Sequence, residues 1–441
     1  MSEKLLSLGL DVGTTSTQMV LSELTIENQA GNFAVPEMEI QERKILYKSP
    51  VYFTPLIRGE LVDGEKIREI VDKEYENAGI SRTEVDTGAI IITGETSRKE
   101  NARSVLEALS RYAGDFVVAT AGPDLESVLA AKGAGAVEYS AQTGKRVLHM
   151  DIGGGTSNLA LIEAGKIVAT TCLNVGGRLV KLDETGKIMY VSPELARLFW
   201  KKKGEVASRG EMEELAEKLV QALEMVGGLR EKAALLEKLR TQEAEGVWPE
   251  VPAGTVISFS GGVADCVEHD RSWLEFGDIG PELGKAIRKS RLCKGEYRLG
   301  SETIRATVVG AGCHSAQLSG STVFHQNVDF PLKNLPVVED LSALERLDGP
   351  GVLMVNGEAL DFAGVRDLAK SVTASMKPPV YLAVSADLAK ALGVQIALIL
   401  GSAAQVLCID RVHLREGDYL DVGVPVGPAI PVVVKTLILS Q

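Results

Sequence analysis

The sequence lacks the patterns that mark several large protein classes. Its five cysteines lie far apart with no CxxC pair, which argues against a disulfide scaffold and favours reduced thiols in the cytoplasm. The five histidines show no metal-ligand spacing. The GxxxxGK[ST], GxGxxG, HExxH and GxSxG patterns are all missing, so a P-loop, a Rossmann fingerprint, a zincin helix and a nucleophile elbow are not indicated.

Positive charge and long apolar runs are also scarce. The net charge of -13 and the lack of a basic stripe argue against nucleic acid as the main partner. The apolar run at the N-terminus is too short for a signal peptide. The uncharged stretch 391–409 is interrupted by Gln395, Ser402 and Gln405, which predicts a buried helix and a strand rather than a membrane span. We therefore expect a cytoplasmic protein without a membrane partner.

A strand–turn–strand pattern occurs twice in the 441 residues. An apolar strand ends at Asp11, and a second one ends at Asp151, about 140 residues later. Each aspartate is followed by a turn rich in glycine and hydroxyl residues and then by another apolar strand. This repetition predicts a duplicated domain within an α/β fold.

The remaining patterns divide the chain into three parts. We predict a first lobe over 1–145, a second lobe over 146–330 and a C-terminal α/β region over 331–441. A charged amphipathic helix is predicted over 63–78, and a helical segment over 192–240. The proline- and charge-containing stretch 331–350 is predicted to be a linker.

The two turns have the chemistry of phosphate cradles. Glycine lets a backbone approach a ligand closely, and successive N–H groups form a concavity that binds anions. The strand-end carboxylates of Asp11 and Asp151 would attract the magnesium that accompanies a polyphosphate. The candidate phosphate-binding residues are Gly13, Thr14, Thr15, Gly153, Gly154, Gly155 and Thr156. Taken singly, each turn could also be an ordinary hairpin with a polar tip.

A third glycine-containing element follows the apolar strand 256–259. Gly261 and Gly262 would let a flat adenosine pack against the backbone. The alternative is a turn where a helix and a strand pack closely.

The order of these motifs resembles the actin/Hsp70/hexokinase superfamily. The matching segments are phosphate-1 at 11–17, connect-1 near 94–109, phosphate-2 at 151–158, an adenosine loop at 260–264 and connect-2 at 308–316. The resemblance implies an actin-like ATPase fold, with ribonuclease H-like duplicated domains and a nucleotide cleft between the lobes. It implies ATP and Mg²⁺ as ligands.

Within that superfamily the chain resembles the ethanolamine ammonia-lyase reactivating factors. The segments that carry this resemblance are 8–24, 92–103, 149–165, 259–267, 417–426 and 432–439. Members are chaperones that use ATP and magnesium to release damaged cobalamin from an adenosylcobalamin-dependent lyase. The resemblance implies that lyase as a partner and an association with the ethanolamine-utilization microcompartment. The oligomeric state stays open, with a homodimer as one option.

The resemblance also implies individual roles. Asp11 and Asp151 would orient the magnesium, and Glu95 would position the attacking water, although Glu95 could instead favour a helix N-terminus. Two rival functions stay open, a small-molecule kinase of the same fold and a polymerising actin-like structural ATPase. A member that has lost hydrolysis and serves as a nucleotide-sensing scaffold is a further option.

Overall fold

In a computed structural model of the chain, three main β-sheets are flanked by helices. The residues that the structure describes are 3–13, 16–28, 38–57, 61–93, 101, 105, 109, 117–120, 123–195, 198–241, 248–314, 316–318, 323–344, 346–347, 349–355, 360–412, 414, 418–425 and 430–436.

The first lobe is built on a sheet with strand order β3-β2-β1-β7-β8, and β4 pairs with β2. The first three strands are antiparallel, whereas β7 and β8 continue the sheet in parallel with β1. Helix α1 starts at the N-cap Asp63, ends at Gly79 and packs Ile67 and Val71 into the apolar core. The elements are β1 Glu3–Val12, β2 Ser16–Asn28, β3 Met38–Lys48, β4 Tyr52–Phe53, β5 Leu56–Ile57, β6 Leu61–Val62, α1 Gly64–Ala78, a 3₁₀ turn Arg82–Glu84, β7 Thr87–Ile92 and β8 Val117–Thr120.

The second lobe repeats this topology. Its sheet has the order β11-β10-β9-β14-β15, again with three antiparallel strands followed by two parallel ones. The elements are α2 Pro123–Gly133, α3 Ala136–Thr143, β9 Val147–Ile152, β10 Ser157–Glu163, β11 Lys166–Leu173, β12 Val180–Leu182, β13 Ile188–Val191, a 3₁₀ turn Pro193–Leu195, α4 Arg209–Val226, α5 Ala234–Leu239, β14 Val256–Ser260, α6 Asp265–Glu268, α7 Gly280–Lys289, a 3₁₀ turn Arg291–Cys293 and β15 Tyr297–Leu299. The predicted duplication is therefore confirmed.

Two helices cross between the lobes. Helix α8, Ala306–His314, packs on β1 and β2 of the first lobe, whereas α2 packs on β10 and β11 of the second. The two helices also contact each other along their length. The segment 94–109, expected to begin the first crossing helix, lies largely outside the described residues, and α2 occupies the crossing position.

The C-terminal region forms an eight-stranded sheet with the order β16-β23-β22-β18-β19-β20-β21-β17. Its first edge meets the first lobe, because β16 contacts β3 and β23 contacts β8. The elements are β16 Ala316–Leu318, β17 Phe324–Gln326, β18 Leu332–Val338, α9 Leu341–Leu344, β19 Val352–Val355, α10 Phe362–Ser375, β20 Val380–Val384, α11 Ala389–Leu400, β21 Val406–Asp410, β22 Asp418–Val422 and β23 Pro431–Thr436.

Several local predictions can be compared with these elements. The helix over 63–78 and the helix-then-strand over 391–409 are confirmed, with a break at Gly401. The helical prediction over 192–240 is wrong for the described residues 192–195 and 198–208, where a 3₁₀ turn and irregular backbone precede α4. The linker predicted over 331–350 is wrong, because β18 lies inside the third sheet. Among the described helices, none is long and apolar enough to cross a membrane.

Candidate functional site

The first predicted hairpin brings Asp11 to the end of β1. The turn is closed by the Gly13 N–H, which donates to the Ser16 carbonyl at 2.8 Å. The hydroxyl of Thr93, the residue after β7, donates to Asp11 Oδ1 at 2.9 Å. The neighbouring parallel strand therefore holds the carboxylate of Asp11 in place.

The second hairpin repeats this arrangement. The Gly153 N–H donates to the Thr156 carbonyl at 2.9 Å and closes the turn. The hydroxyl of Ser260, the last residue of β14, donates to Asp151 Oδ1. Strand β14 pairs with β9 as β7 pairs with β1. Each aspartate therefore accepts a hydrogen bond from a hydroxyl at the end of the neighbouring parallel strand in its own lobe.

A single cleft between the lobes joins the two hairpins. It encloses about 430 Å³ and is lined by both aspartates. The predicted residues that line it are Asp11, Gly13, Asp151, Gly153, Gly154, Gly155, Thr156, Gly261 and Gly262. Thr14, Thr15 and Glu95, also predicted, lie outside the described residues.

The carboxyl groups of Asp11 and Asp151 are buried, which destabilises their charged forms. Burial and, to a smaller extent, the charge of Asp151 raise the pKa of Asp11 to about 7, despite the hydrogen bond from Thr93. Burial also raises the pKa of Asp151 to about 6, partly offset by the Ser260 hydrogen bond. Within the described part of the chain, neither carboxylate forms an ion pair with a lysine or arginine. A nearby cation would favour the charged form of both carboxyl groups and so lower both pKa values.

The donor set fits a hard divalent cation that keeps water or ligand oxygens. No group of three or more His, Cys, Asp or Glu side chains with metal-ligand geometry occurs among the described residues. The cleft therefore presents the two hairpin carboxylates, with Glu126, Glu194, Asp265 and Asp278 at other points of its wall, rather than a complete protein cage. Magnesium sites on polyphosphates commonly use one or two carboxylates together with water and phosphate oxygens.

Gly261 is required by backbone geometry. Its φ is +86°, and a Cβ built there would lie 2.3 Å from the Ile152 carbonyl oxygen. The Val263 N–H donates to that same oxygen at 3.1 Å. At Gly262 a Cβ would meet only the end of Ile304, at 4.0 Å, so this glycine leaves open space in the cleft.

A buried histidine stands behind Asp151. His149 Nε2 lies 2.9 Å from Ser260 Oγ, and His149 Nδ1 lies 3.1 Å from Ser258 Oγ. Because Ser260 uses its hydrogen for Asp151, its oxygen accepts from His149 Nε2–H, and Nδ1 accepts from Ser258. Burial lowers the pKa of His149 to about 3, so the ring is neutral and this tautomer orients the Ser260 hydroxyl.

Thr93, Ser260 and His149 were not predicted as site residues. The alternation of side chains along a strand could have identified His149, which shares a face with Asp151 two residues later. Ser258 and Ser260 alternate in the same way on β14. Their pairing with β9 could not be read from the sequence.

An arginine borders the second hairpin loop. The Arg178 N–H donates to the Gly154 carbonyl at 2.6 Å, and its side chain lies over Gly154. Its Nε is 3.4 Å from Asp278 Oδ2. Its guanidinium carbon lies 5.6 Å from the ring centroid of Phe53, which belongs to the first lobe. Arg178 therefore connects the two sides of the cleft.

Two lobes of the same topology, each presenting a hairpin and a buried aspartate to one cleft, define an actin-like ATPase fold. The chain belongs to the family described as ethanolamine utilisation protein EutA, whose model matches residues 3–349 and 343–440. It is 38% identical over 476 residues to the ethanolamine ammonia-lyase reactivase EutA of Salmonella typhimurium strain LT2, with 99% of each chain covered.

Two further similarities were found. The reactivase EutA of Escherichia coli strain K12 is 38% identical over 479 residues, again with 99% of each chain covered. Among solved structures, a Ppx/GppA family member from Aquifex aeolicus matches with a TM-score of 0.43 and 13% identity, covering 70% of this chain and 97% of that one.

Proposed function

We propose that this protein is an ATP-dependent reactivating chaperone of ethanolamine ammonia-lyase. It would release damaged cobalamin from the adenosylcobalamin-dependent lyase so that intact coenzyme can enter. The observation that carries the proposal is the full-length similarity to two reactivases, combined with the paired aspartates in the cleft. We further propose that it acts in the cytoplasm, in association with the ethanolamine-utilization microcompartment.

The predicted site residues would have separate roles in binding and hydrolysing the nucleotide. Asp11 and Asp151 would hold Mg²⁺, which neutralises phosphate charge when bound. The N–H groups of the two hairpin turns would bind phosphate oxygens, with Gly13, Thr14 and Thr15 in the first turn and Gly153, Gly154, Gly155 and Thr156 in the second. Gly261 and Gly262 would accommodate the adenosine, and Glu95 would position water.

The two-lobed construction supports a conformational switch. A γ-phosphate held by both hairpins would favour a closed cleft, and ADP would favour it less. A ligand shifts such an equilibrium only through its different affinity for the two states. The ATP and ADP forms must therefore bind the lyase differently, and α2 and α8 are the elements across which the lobes would move.

A reactivation assay tests this function. Ethanolamine ammonia-lyase inactivated with cyanocobalamin is mixed with the protein, free adenosylcobalamin and Mg-ATP, and deaminating activity is followed. We expect activity to return with ATP and Mg²⁺, and to stay absent with ADP or with EDTA. No recovery under any nucleotide condition would contradict the proposal.

Labelled ATP separates the rival functions in parallel. A reactivase releases free phosphate, whereas a small-molecule kinase transfers the label to an added alcohol or sugar. Filaments pelleting in the presence of ATP would instead favour an actin-like structural protein.

A further inference from the structure

Two buried amides stand directly opposite the two aspartates. In the antiparallel register of each hairpin, Gln18 is the partner of Asp11 and Asn158 is the partner of Asp151. Directly opposed residues in an antiparallel pair place their side chains on the same face of the sheet. Both amides line the cleft, and they are 2% and 4% exposed. The hairpins therefore present four oxygen-bearing side chains in a two-fold arrangement.

The hydrogen bonds of the two amides determine which way each one faces. Gln18 Nε2 donates to the carbonyl oxygen of Ile304 at 3.2 Å, and Asn158 Nδ2 donates to Glu126 Oε2 at 2.6 Å. A main-chain carbonyl can only accept a hydrogen bond, and Glu126 Oε2 is the acceptor of the Asn158 N–H. The NH₂ group must therefore point at Ile304 and at Glu126, which leaves the amide oxygen on the other side.

Those two amide oxygens have no partner of their own. Gln18 Oε1 and Asn158 Oδ1 are both buried and accept no hydrogen bond from the described residues. A buried acceptor without a donor is costly, and such groups in folded proteins commonly mark a missing ion or water. The two oxygens lie at equivalent positions, each beside an aspartate that forms no ion pair within the described residues. This points to a shared ligand rather than to a local packing defect.

We propose that Gln18 and Asn158 bind the divalent cation together with Asp11 and Asp151, each through its side-chain oxygen, directly or through a water ligand. This inference rests on the proposed function, because it adds residues to the same metal site. Amide oxygens are accepted ligands of hard cations, and two neutral oxygens add donors without adding charge repulsion.

Metal affinity measured without nucleotide tests this assignment. Mn²⁺ is titrated into the nucleotide-free full-length protein and followed by electron paramagnetic resonance. Gln18→Met and Asn158→Leu keep the approximate shape and remove the oxygen. We expect each to weaken Mn²⁺ binding roughly tenfold, the scale seen when residues supporting a metal site are removed.

A charge-adding variant separates ligation from a structural role. Gln18→Glu keeps an oxygen in place and adds a negative charge, so it should tighten Mn²⁺ binding where Gln18→Met weakens it. A role limited to folding would weaken binding in both variants. The matched control is Asn174→Leu, an amide that lines the same cleft but is not paired with either aspartate, and it should stay within about twofold of wild type.

The outcomes distinguish this inference from the proposed metal site itself. If Asp11→Asn and Asp151→Asn weaken Mn²⁺ binding but Gln18→Met and Asn158→Leu do not, the role of the amides is overturned and the site stands. If none of the four variants changes Mn²⁺ binding, the metal site fails as well. Cooperative thermal unfolding of each variant shows that it is folded.

Discussion

Gly133 lies against Gly310 where α2 and α8 cross between the lobes. A Cβ built on Gly133 would lie 2.6 Å from the nitrogen of Gly310 and 1.9 Å from the carbonyl oxygen of Ala306. A Cβ on Gly310 would lie 2.0 Å from the carbonyl oxygen of Leu129. Backbone meets backbone at this crossing, so no side chain can move aside to make room.

We therefore expect Gly310→Ala to destabilise the protein. Overpacking typically costs about 1–3 kcal/mol, and here the clash is with main-chain atoms, so a value at the upper end is expected. Urea unfolding followed by circular dichroism measures the change. Gly210→Ala, in the first turn of α4 with nothing within 4 Å, is the control and should leave stability equal or slightly higher. Equal midpoints for Gly310→Ala and wild type would contradict the close crossing.

Loss of either cleft aspartate should abolish magnesium-dependent ATP hydrolysis. Asp11→Ala and Asp151→Ala each remove half of the carboxylate pair, and we expect the rate of phosphate release to fall at least about a hundredfold. Asp367→Asn, an exposed carboxylate on α10, is the control and should hydrolyse ATP as wild type does. Wild-type rates in both alanine variants would show that the site is elsewhere.

The raised pKa of Asp11 predicts a pH-dependent difference in stability. In the folded protein the Asp11 carboxyl group stays protonated up to about pH 7, whereas its ordinary pKa is 3.8. Between these two values the folded state therefore binds more protons than the unfolded state. Stability contributed by the protonated group is therefore lost as the pH rises through this window, at up to about 1.4 kcal/mol per unit. Asp11→Asn removes this loss.

Denaturant unfolding of metal-free protein in EDTA at pH 5 and pH 8 measures that difference. We expect Asp11→Asn to gain stability over wild type at pH 8 relative to pH 5. Added Mg²⁺ should stabilise wild type at pH 8 and have less effect on the variant. A difference between variant and wild type that does not change with pH would contradict the buried, proton-binding state of Asp11.

The hydroxyl of Ser260 should determine the pH at which the metal binds. Its hydrogen bond lowers the pKa of Asp151, so Ser260→Ala should raise that pKa above about 6. Cation binding then requires a higher pH, with a shift of about one unit for one lost hydrogen bond. Ser140→Ala is the matched control, because Ser140 is a buried serine of the second lobe that donates to the Lys145 carbonyl and does not line the cleft. Calorimetric titration with Mn²⁺ across pH 5.5 to 8.5 would show whether the two variants differ.

Arg178 should favour triphosphate over diphosphate. Of the cleft-lining residues that the structure describes, Arg178 and Arg271 carry the permanent positive charges. Both have an acidic partner, Asp278 for Arg178 and Glu275 for Arg271, but Arg178 also lies over Gly154 of the second hairpin. Arg178→Ala should weaken binding of a non-hydrolysable ATP analogue roughly tenfold and ADP much less, because a charged hydrogen bond to the last phosphate is lost. Arg271→Ala should change both affinities by the same factor. Equal losses in Arg178→Ala would exclude contact with the terminal phosphate.

The sequence was informative where the chain folds locally. Asp11 and Asp151 each end a strand that turns back on itself within ten residues, so turn chemistry and apolar runs were enough to predict both hairpins. The predicted helical segment is present as α4, Arg209–Val226, on which Leu215, Leu219 and Leu223 are buried. The uncharged segment 391–409 was predicted correctly from the polar residues Gln395, Ser402 and Gln405 that interrupt it, and the helix ends at Gly401.

The sequence was uninformative where distant strands meet. The bond from Thr93 to Asp11 spans 82 residues, and the bond from Ser260 to Asp151 spans 109. Both depend on parallel pairing, which no local pattern specifies. Residues 198–208 have helix-forming composition in part, but tertiary contacts prevail, since Val206 bridges to Lys187 between β12 and β13. The amide oxygens of Gln18 and Asn158 are likewise visible only once the register is known.

The C-terminal sheet is attached to the first lobe along one edge, so a rotation of that lobe moves the far edge of the sheet furthest. Its strands β16 and β23 lie against the first lobe, whereas β17 is at the opposite edge, roughly 30 Å away by strand spacing. A rotation of about 10° at the α2–α8 crossing displaces a point at that radius by about 5 Å relative to the second lobe. A partner bound both at that far edge and on the second lobe would be strained by the same rotation that opens or closes the cleft.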